Sequence, residues 1–269
     1  MQLIDSHSHI DFSEFDPDRT SAIKRAGDAG VTDIIVSATT AKRWSLIKDI
    51  CKVQGNDDQA QCHPAYGLHP MFMNEHKSDH VDDLKHWIKN ENPIALGEIG
   101  LDYFIGEANN VDGARNRQSQ LALFIAQLAL ADECGLPVII HARKSLDIVL
   151  KHLRQFPNVT GSIHSFSGSE QQAKQLIDLG FYLGFGGPIT YTRATRLKKL
   201  VTHLPLESLL LETDSPDQPD ALHYKQRNEP AYVVNVAEVV AKCRKIAVEE
   251  VAKITTQNAQ TLFNFNRHF

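Results

Sequence analysis

Pro137-Val138-Ile139-Ile140-His141 is a short apolar run, rich in Ile, that closes on a histidine. It lies between two longer stretches of helical periodicity with polar faces, Arg115–Cys134 and Ser145–Arg154, so the local order is helix, strand, helix. The same unit recurs along the chain. Strands are predicted over Leu3–Ser8, Asp33–Ser37, Ala65–Leu68, Ile94–Glu98, Val138–His141, Gly161–His164, Tyr182–Phe185 and Ser208–Glu212, eight in all. Further helices are predicted over Asp16–Ala29, with Pro17 just inside its start, and over Ala41–Val53. Alternating strands and helices imply parallel pairing, and eight such units in about 250 residues is the size of a closed (β/α)8 TIM barrel. The end of the chain, from Ala231 to Phe263, is predicted as two or three extra C-terminal helices packed outside the barrel. No Pro/Gly/Ser linker or low-complexity tract divides the chain, so residues 1–269 are expected to form one domain. An open doubly wound sheet is the competing architecture, and no Gly-x-Gly-x-x-Gly supports it.

The composition narrows the function. With 269 residues, 42% hydrophobic and 23% charged, the chain is neither a disordered segment nor a disulfide-stapled scaffold. The 28 Lys and Arg against 33 Asp and Glu leave a net charge of -5, so any nucleic-acid contact must be local. Met1-Gln2-Leu3-Ile4-Asp5 shows no secretion-signal pattern, and the longest nearly apolar run, Leu121 to Ala131, is too short to span a bilayer. Cys51, Cys62, Cys134 and Cys243 lack Cys-x-x-Cys spacing and read as single thiols. A cytoplasmic protein without a membrane partner is expected. The oddity is 13 His, roughly double average usage.

Those histidines gather at strand ends. His7 and His9 stand two apart in Ile4-Asp5-Ser6-His7-Ser8-His9, and side chains at i and i+2 of a strand share one face. Glu98 closes Pro93-Ile94-Ala95-Leu96-Gly97-Glu98, His141 and His164 close their own apolar runs, and Asp214 follows Leu209-Leu210-Leu211-Glu212-Thr213. In a parallel barrel all these ends meet on one rim. Six metal-competent side chains exceed what one catalytic zinc uses, so two divalent ions are implied. The economical division gives His7, His9 and Asp214 to one ion and His141 and His164 to the other, with Glu98 bridging through its separate oxygens. Two ions about 3.5–4 Å apart supply hydroxide near neutral pH, which is hydrolytic chemistry. Zinc, manganese and magnesium all suit such donors.

Other residues on the rim are candidates for substrate contact. His69, in Gly67-Leu68-His69-Pro70, is aimed at the same mouth, with a supporting structural role as its competing reading. Arg143 in His141-Ala142-Arg143 is placed to reach an anionic group, or to pair with a helix acid. Ser165 in His164-Ser165-Phe166-Ser167-Gly168 offers a hydroxyl near a helix N-terminus, where Ser167 or Ser169 could simply cap. Glu212 points the same way as Asp214 and could orient a ligand histidine. The remaining histidines, among them His63, His76 and His152, are taken as surface or structural. No Gly-x-Ser-x-Gly elbow and no phosphate-binding Gly-x-x-x-x-Gly-Lys loop occurs.

The pattern resembles the TatD family of metal-dependent hydrolases, within the wider amidohydrolase-like barrels. The matching stretches are Asp5-Ser6-His7-Ser8-His9, Gly67-Leu68-His69-Pro70, Gly97-Glu98-Ile99-Gly100-Leu101-Asp102-Tyr103, His141-Ala142-Arg143, His164-Ser165-Phe166-Ser167-Gly168, Glu212-Thr213-Asp214-Ser215-Pro216 and Asn258-Ala259. They run in family order from the first strand to the last helix. The resemblance implies a (β/α)8 barrel, a divalent-metal centre on His7, His9, Glu98, His141, His164 and Asp214, and hydrolysis of phosphodiesters in DNA, with 3′-end exonuclease action attributed to some members. The chain departs from many members after Asp214, where it reads Pro216-Asp217-Gln218-Pro219 and then Arg227-Asn228-Glu229-Pro230, which places it nearer the YjjV-like branch. The expected activity is therefore two-metal phosphodiester hydrolysis, with Glu98 and Asp214 as catalytic carboxylates and a DNA strand end or a small phosphoester as substrate. Two rivals stand beside it: an amide, ester or small phosphoester hydrolase with the same centre, and a non-catalytic metal or nucleic-acid binding module.

Overall fold

The computed structural model describes residues 1–53, 59–104 and 111–265, with the side chains of 111 and 112 excepted. Eight strands form one parallel sheet in sequential order: β1 (Leu3–Ser8), β2 (Val31–Ser37), β3 (Gln61–Tyr66), β4 (Ala95–Asp102), β5 (Val138–Arg143), β6 (Gly161–Ile163), β7 (Phe181–Phe185) and β8 (Leu209–Leu211). The sheet closes where β1 meets the segment after β8: the Asp214 amide donates to His7 O at 2.9 Å and the His9 amide to Ser215 O at 2.7 Å. The fold is a TIM barrel, as the strand-helix rhythm requires. Its helices are α1 (Arg19–Asp28), α2 (Trp44–Lys52), α3 (His80–Glu91), α4 (Val111–Cys134), α5 (Leu146–Leu153), α6 (Glu170–Asp178), α7 (Thr195–His203), α8 (Val233–Arg244) and α9 (Val248–Phe263).

Two cores follow from strand alternation. Val138, Ile140, Leu183 and Leu211 face the helices in the outer core. Ile4, Ile35, Ala65, Ala95, Ile139 and Leu210 point into the barrel. Ala259, Leu262 and Phe263 of α9 join this inner cluster and form its floor. This corrects the expectation that the last helices only line the outside, because the N-terminal end of a barrel is an apolar opening that some element must cover.

Other expectations shift at their edges. The first helix starts at Arg19 rather than Asp16, leaving Pro17 ahead of it after a short 3-10 turn, Ser13–Phe15. The third strand runs Gln61–Tyr66, so Leu68 lies past its end. The fourth runs to Asp102, which puts Glu98 inside a strand rather than at its close. No helix among the described residues is long and apolar enough to cross a membrane, and no disulfide occurs among them.

Candidate metal centre

Two register shifts aim the central side chains. Between Leu96 and Ile99 β4 spends one residue more than β5, and between Asp5 and Ser8 β1 spends one more than β2. An extra residue reverses the alternation beyond it. Ala95 accordingly points inward while Ile99 and Leu101 point outward, and Glu98 turns into the barrel mouth. His141 and His164 need no such device, since each keeps the inward parity of Ile139 and Ser162.

At the mouth, four donor atoms form one cluster. His7 Nε2 and His9 Nε2 are 3.2 Å apart, and each is 3.2 Å from Glu98 Oε2. Asp214 Oδ1 lies 3.4 Å from His7 Nε2 and 3.5 Å from His9 Nε2. A tetrahedral ion with bonds of ~2.0–2.1 Å has donors about 3.3–3.4 Å apart, so this cluster has the size of a zinc-type cage. The other oxygen, Glu98 Oε1, faces a second group: His164 Nε2 at 2.9 Å, His141 Nδ1 at 3.0 Å and His69 Nε2 at 2.9 Å. Glu98 is 1% exposed, and its Oε2 is buried without a hydrogen bond. Carboxylate oxygens of that kind call for a cation.

Hydrogen bonds on the far side of His9, His141 and His69 decide which of their nitrogens is free. His9 Nδ1 lies 2.8 Å from Ser37 O and His141 Nε2 lies 3.0 Å from Asp102 Oδ2. Both remote nitrogens must donate, which leaves the facing nitrogens as lone-pair donors for an ion. His69 is the reverse. Its Nδ1 accepts from the Met71 amide at 3.0 Å, so the neutral ring carries its proton on Nε2 and donates toward Glu98. Burial pushes His69 down from its ordinary 6.5 to about 4, which keeps that ring neutral.

Charge is balanced inside the cluster. Burial opposes ionisation of Glu98, but His69, His164, His7 and His141 outweigh it and hold the carboxyl well below the usual range. Burial likewise acts against charge on Asp214, and bonds from His7 and His9 overcome it downward. Burial disfavours charge on His9, His141 and His164, yet the neighbouring carboxylates raise all three. Two carboxylates thus hold positive charge in the barrel mouth, and divalent cations compete with protons for the same nitrogens.

Asp214 is oriented from its outer side. Gln218 Nε2 donates to Asp214 Oδ2, and Ser165 Oγ donates to Gln218 Oε1 at 2.9 Å. Asp214, Ser165 and Gln218 all have left-handed backbone, with φ of 57, 46 and 49 degrees. Such residues persist only where the surroundings over-determine them, and they concentrate at functional sites. Glu212 accepts from the Ser165 amide and lies 3.7 Å from His164 Nδ1. A Cβ on Gly184 would stand 2.1 Å from that Glu212 carboxylate, so β7 must present a glycine there.

The structure brings His9, Glu98, His141, His164, Asp214, His69 and Ser165 to one pocket of about 570 Å³, with His7 buried behind them in the same donor cluster. Arg143 lines it with the guanidinium 3.8 Å over the Phe104 ring, and among the described residues it makes no ion pair with a helix acid. Phe12, Phe72, Phe166 and Ile189 supply apolar walls. Sequence reasoning gave no role to Asp102, Ser37 or Gln218. Asp102 was the findable one, an acid four positions beyond Glu98 on the same strand. His76 also has a task, as its Nε2 lies 2.8 Å from His69 O and steadies that turn.

Comparison with known proteins decides the family. The model for TatD related DNase matches residues 4–264. The chain belongs to the TatD family. This TatD protein is 37% identical over 267 residues to a metal-dependent hydrolase named YjjV from Escherichia coli, covering 98% of both chains. It is 33% identical to the Bacillus subtilis metal-dependent hydrolase named YabD, over 98% of this chain and 100% of that one. The crystal structure of Escherichia coli YjjV, a TatD homologue, superposes with a TM-score of 0.87 at 35% identity, covering 97% of this chain and 98% of that one.

Proposed function

We propose that this protein is a divalent-metal-dependent phosphodiesterase that acts on DNA strand ends. The observation that carries the reading is Glu98, whose two oxygens face two separate donor groups from opposite sides. His7, His9 and Asp214 would hold one ion with Glu98 Oε2, and His141 and His164 the other with Glu98 Oε1. Divalent ions in such a pair supply Lewis acidity and bring the ionisation of a nucleophilic water near neutral pH. The match to TatD related DNase supports DNA as the polymer.

The chain's own residues then divide the work. Asp214, with 13% of its side chain exposed, stands at the lip and accepts the proton that the attacking water gives up as the phosphorus-oxygen bond to the leaving group breaks. Gln218 keeps the outer oxygen of Asp214 engaged, so the carboxylate cannot swing away. With Glu98 Oε1 engaged by a cation, His69 would turn its neutral Nε2–H from that oxygen to a phosphoryl oxygen. Arg143 takes the anionic group at the mouth, and the Ser165 hydroxyl lines the same wall. Phe12, Phe72 and Phe166 line the pocket with rings on which a planar base would stack.

One feature favours the small-substrate reading. Among the described residues Arg143 is the sole Lys or Arg lining the pocket, which suits one phosphate group more than a long duplex backbone. Assays on single-stranded, double-stranded and circular DNA, with a chromogenic phosphodiester and a cyclic amide in parallel, decide between these. Chelator-sensitive cleavage of linear DNA with circular DNA spared is the expected result. Turnover of the amide alone would overturn the proposal.

A further inference from the structure

Beside the pocket the chain carries an aromatic and basic patch that the metal chemistry does not use. The turn after β7, Gly187–Thr190, and the loop after β8 are fastened together at the rim. Thr190 Oγ1 accepts from the Ala221 amide at 2.8 Å, and Tyr191 Oη donates to Pro219 O at 2.9 Å. Pro188, Ile189 and Gln218, on these same two segments, line the pocket. The fastening sets the Tyr191 and Tyr224 rings edge to face, 6.1 Å between centroids. Arg193 lies 5.8 Å from the first ring and Lys225 lies 5.4 Å from the second.

This surface is open. Leu222 is 74% and Tyr224 58% exposed, the most exposed large apolar side chains of this face. Of the acids on the same loop, Asp220 is turned inward, 1% exposed, with its carboxylate engaged by His223, Asn235 and the Leu222 amide, whereas Asp217 is exposed on the pocket side. In a chain of net charge -5, Arg193 and Lys225 beside two tyrosines gather positive charge next to the pocket-lining Pro188 and Gln218. Tyr224 is the open ring of the pair and Tyr191 the half-buried one. Rings interleaved with cations hold single strands, because every base has a face to stack and every phosphate a charge.

We infer that Tyr191, Arg193, Tyr224 and Lys225 bind the single-stranded nucleotides next to the scissile end. The inference rests on the phosphodiesterase reading and names the partner of that site. Bases stack on the tyrosines, and the phosphates draw Arg193 and Lys225 off the rings. The strand end then reaches the pocket past Pro188 and Gln218.

The test measures binding and turnover separately. Fluorescence anisotropy with the purified holoprotein and a labelled, hydrolysis-resistant phosphorothioate oligo(dT) of about ten nucleotides reads binding without turnover, and the variants report the share of the patch. Tyr224→Ala is expected to weaken binding about fivefold to a hundredfold. Replacing both Arg193 and Lys225 by Ala is expected to lower the salt slope of log Kd by about 1.4. The same variants should raise KM for single-stranded DNA while leaving kcat and KM on bis(4-nitrophenyl) phosphate unchanged, with the melting temperature unmoved. Wild-type protein that does not bind the oligonucleotide, or variants that bind it as wild type does, would overturn the inference. Cleavage of DNA without any variant effect sinks the patch alone, whereas oligonucleotide binding without phosphodiester cleavage sinks the proposed activity and leaves the patch standing.

Discussion

Which nitrogen of a histidine faces a cation decides what that ring can do there, and for His9, His141 and His69 the hydrogen bond at the remote nitrogen settles the matter. Ser37 O and Asp102 take the remote protons of His9 and His141, while Met71 N–H gives a proton to His69. His69 therefore turns an N–H, not a lone pair, toward Glu98. His69→Gln, measured by elemental analysis and steady-state kinetics, is expected to keep its full metal content while kcat on a phosphodiester falls about 10²–10³-fold. Loss of one ion in that variant would make His69 a ligand instead. Sequence could place His69 on the rim from Gly67-Leu68-His69-Pro70, but its tautomer depends on an amide two residues later that folds back onto the ring.

At the scale of the element, the inner floor and the strand irregularities carry the fold. Phe263 is 1% exposed and packs with Ile4, Ala65 and Leu210 across the end of the barrel. Phe263→Ala is expected to cost about 3–5 kcal/mol of stability in urea unfolding. An exposed α9 surface residue such as Lys253→Ala should change it by less than about 0.5 kcal/mol. Eight strands were legible because apolar runs and helical periodicities differ in period, and His141 and His164 follow from parity alone. Glu98 was legible as a candidate but its setting was not: alternation from Ala95 aims it outward, and only the extra residue of β4 turns it in. Single-residue insertions leave no trace in a hydrophobic pattern. The same holds for α9, whose apolar stripe shows that it packs without showing on what.

For the molecule as a whole, the segment after β8 is clamped to the start of the barrel. Arg227 pairs with Asp18 at 2.6 Å, and Arg25 pairs with Glu229 at 2.6 Å and with Asp18 at 2.9 Å. Hydrogen bonds from Arg227 and Arg25 hold the Asp18 carboxyl well below its ordinary 3.8. A carboxyl depressed in the folded state stabilises fully above its unfolded value and loses that contribution as pH falls through the folded one. Asp18 is one-third exposed, so the pairs contribute modestly, about 0.2–1 kcal/mol each. Asp18→Asn is therefore expected to lower stability at pH 7 slightly and to flatten its decline below about pH 4. Thermal melts of both proteins from pH 7 to pH 2.5 check this; parallel curves would contradict it.

The central claim is that Glu98 joins two cation sites, and counting ions tests it most directly. Protein equilibrated with zinc or manganese, freed of excess ion by gel filtration and analysed by elemental mass spectrometry, is expected to carry two equivalents per chain. Glu98→Gln, which keeps the shape and removes the charge, is expected to carry one or none while retaining its circular dichroism spectrum. One equivalent or fewer on the wild-type chain, or two retained on Glu98→Gln, would contradict the account.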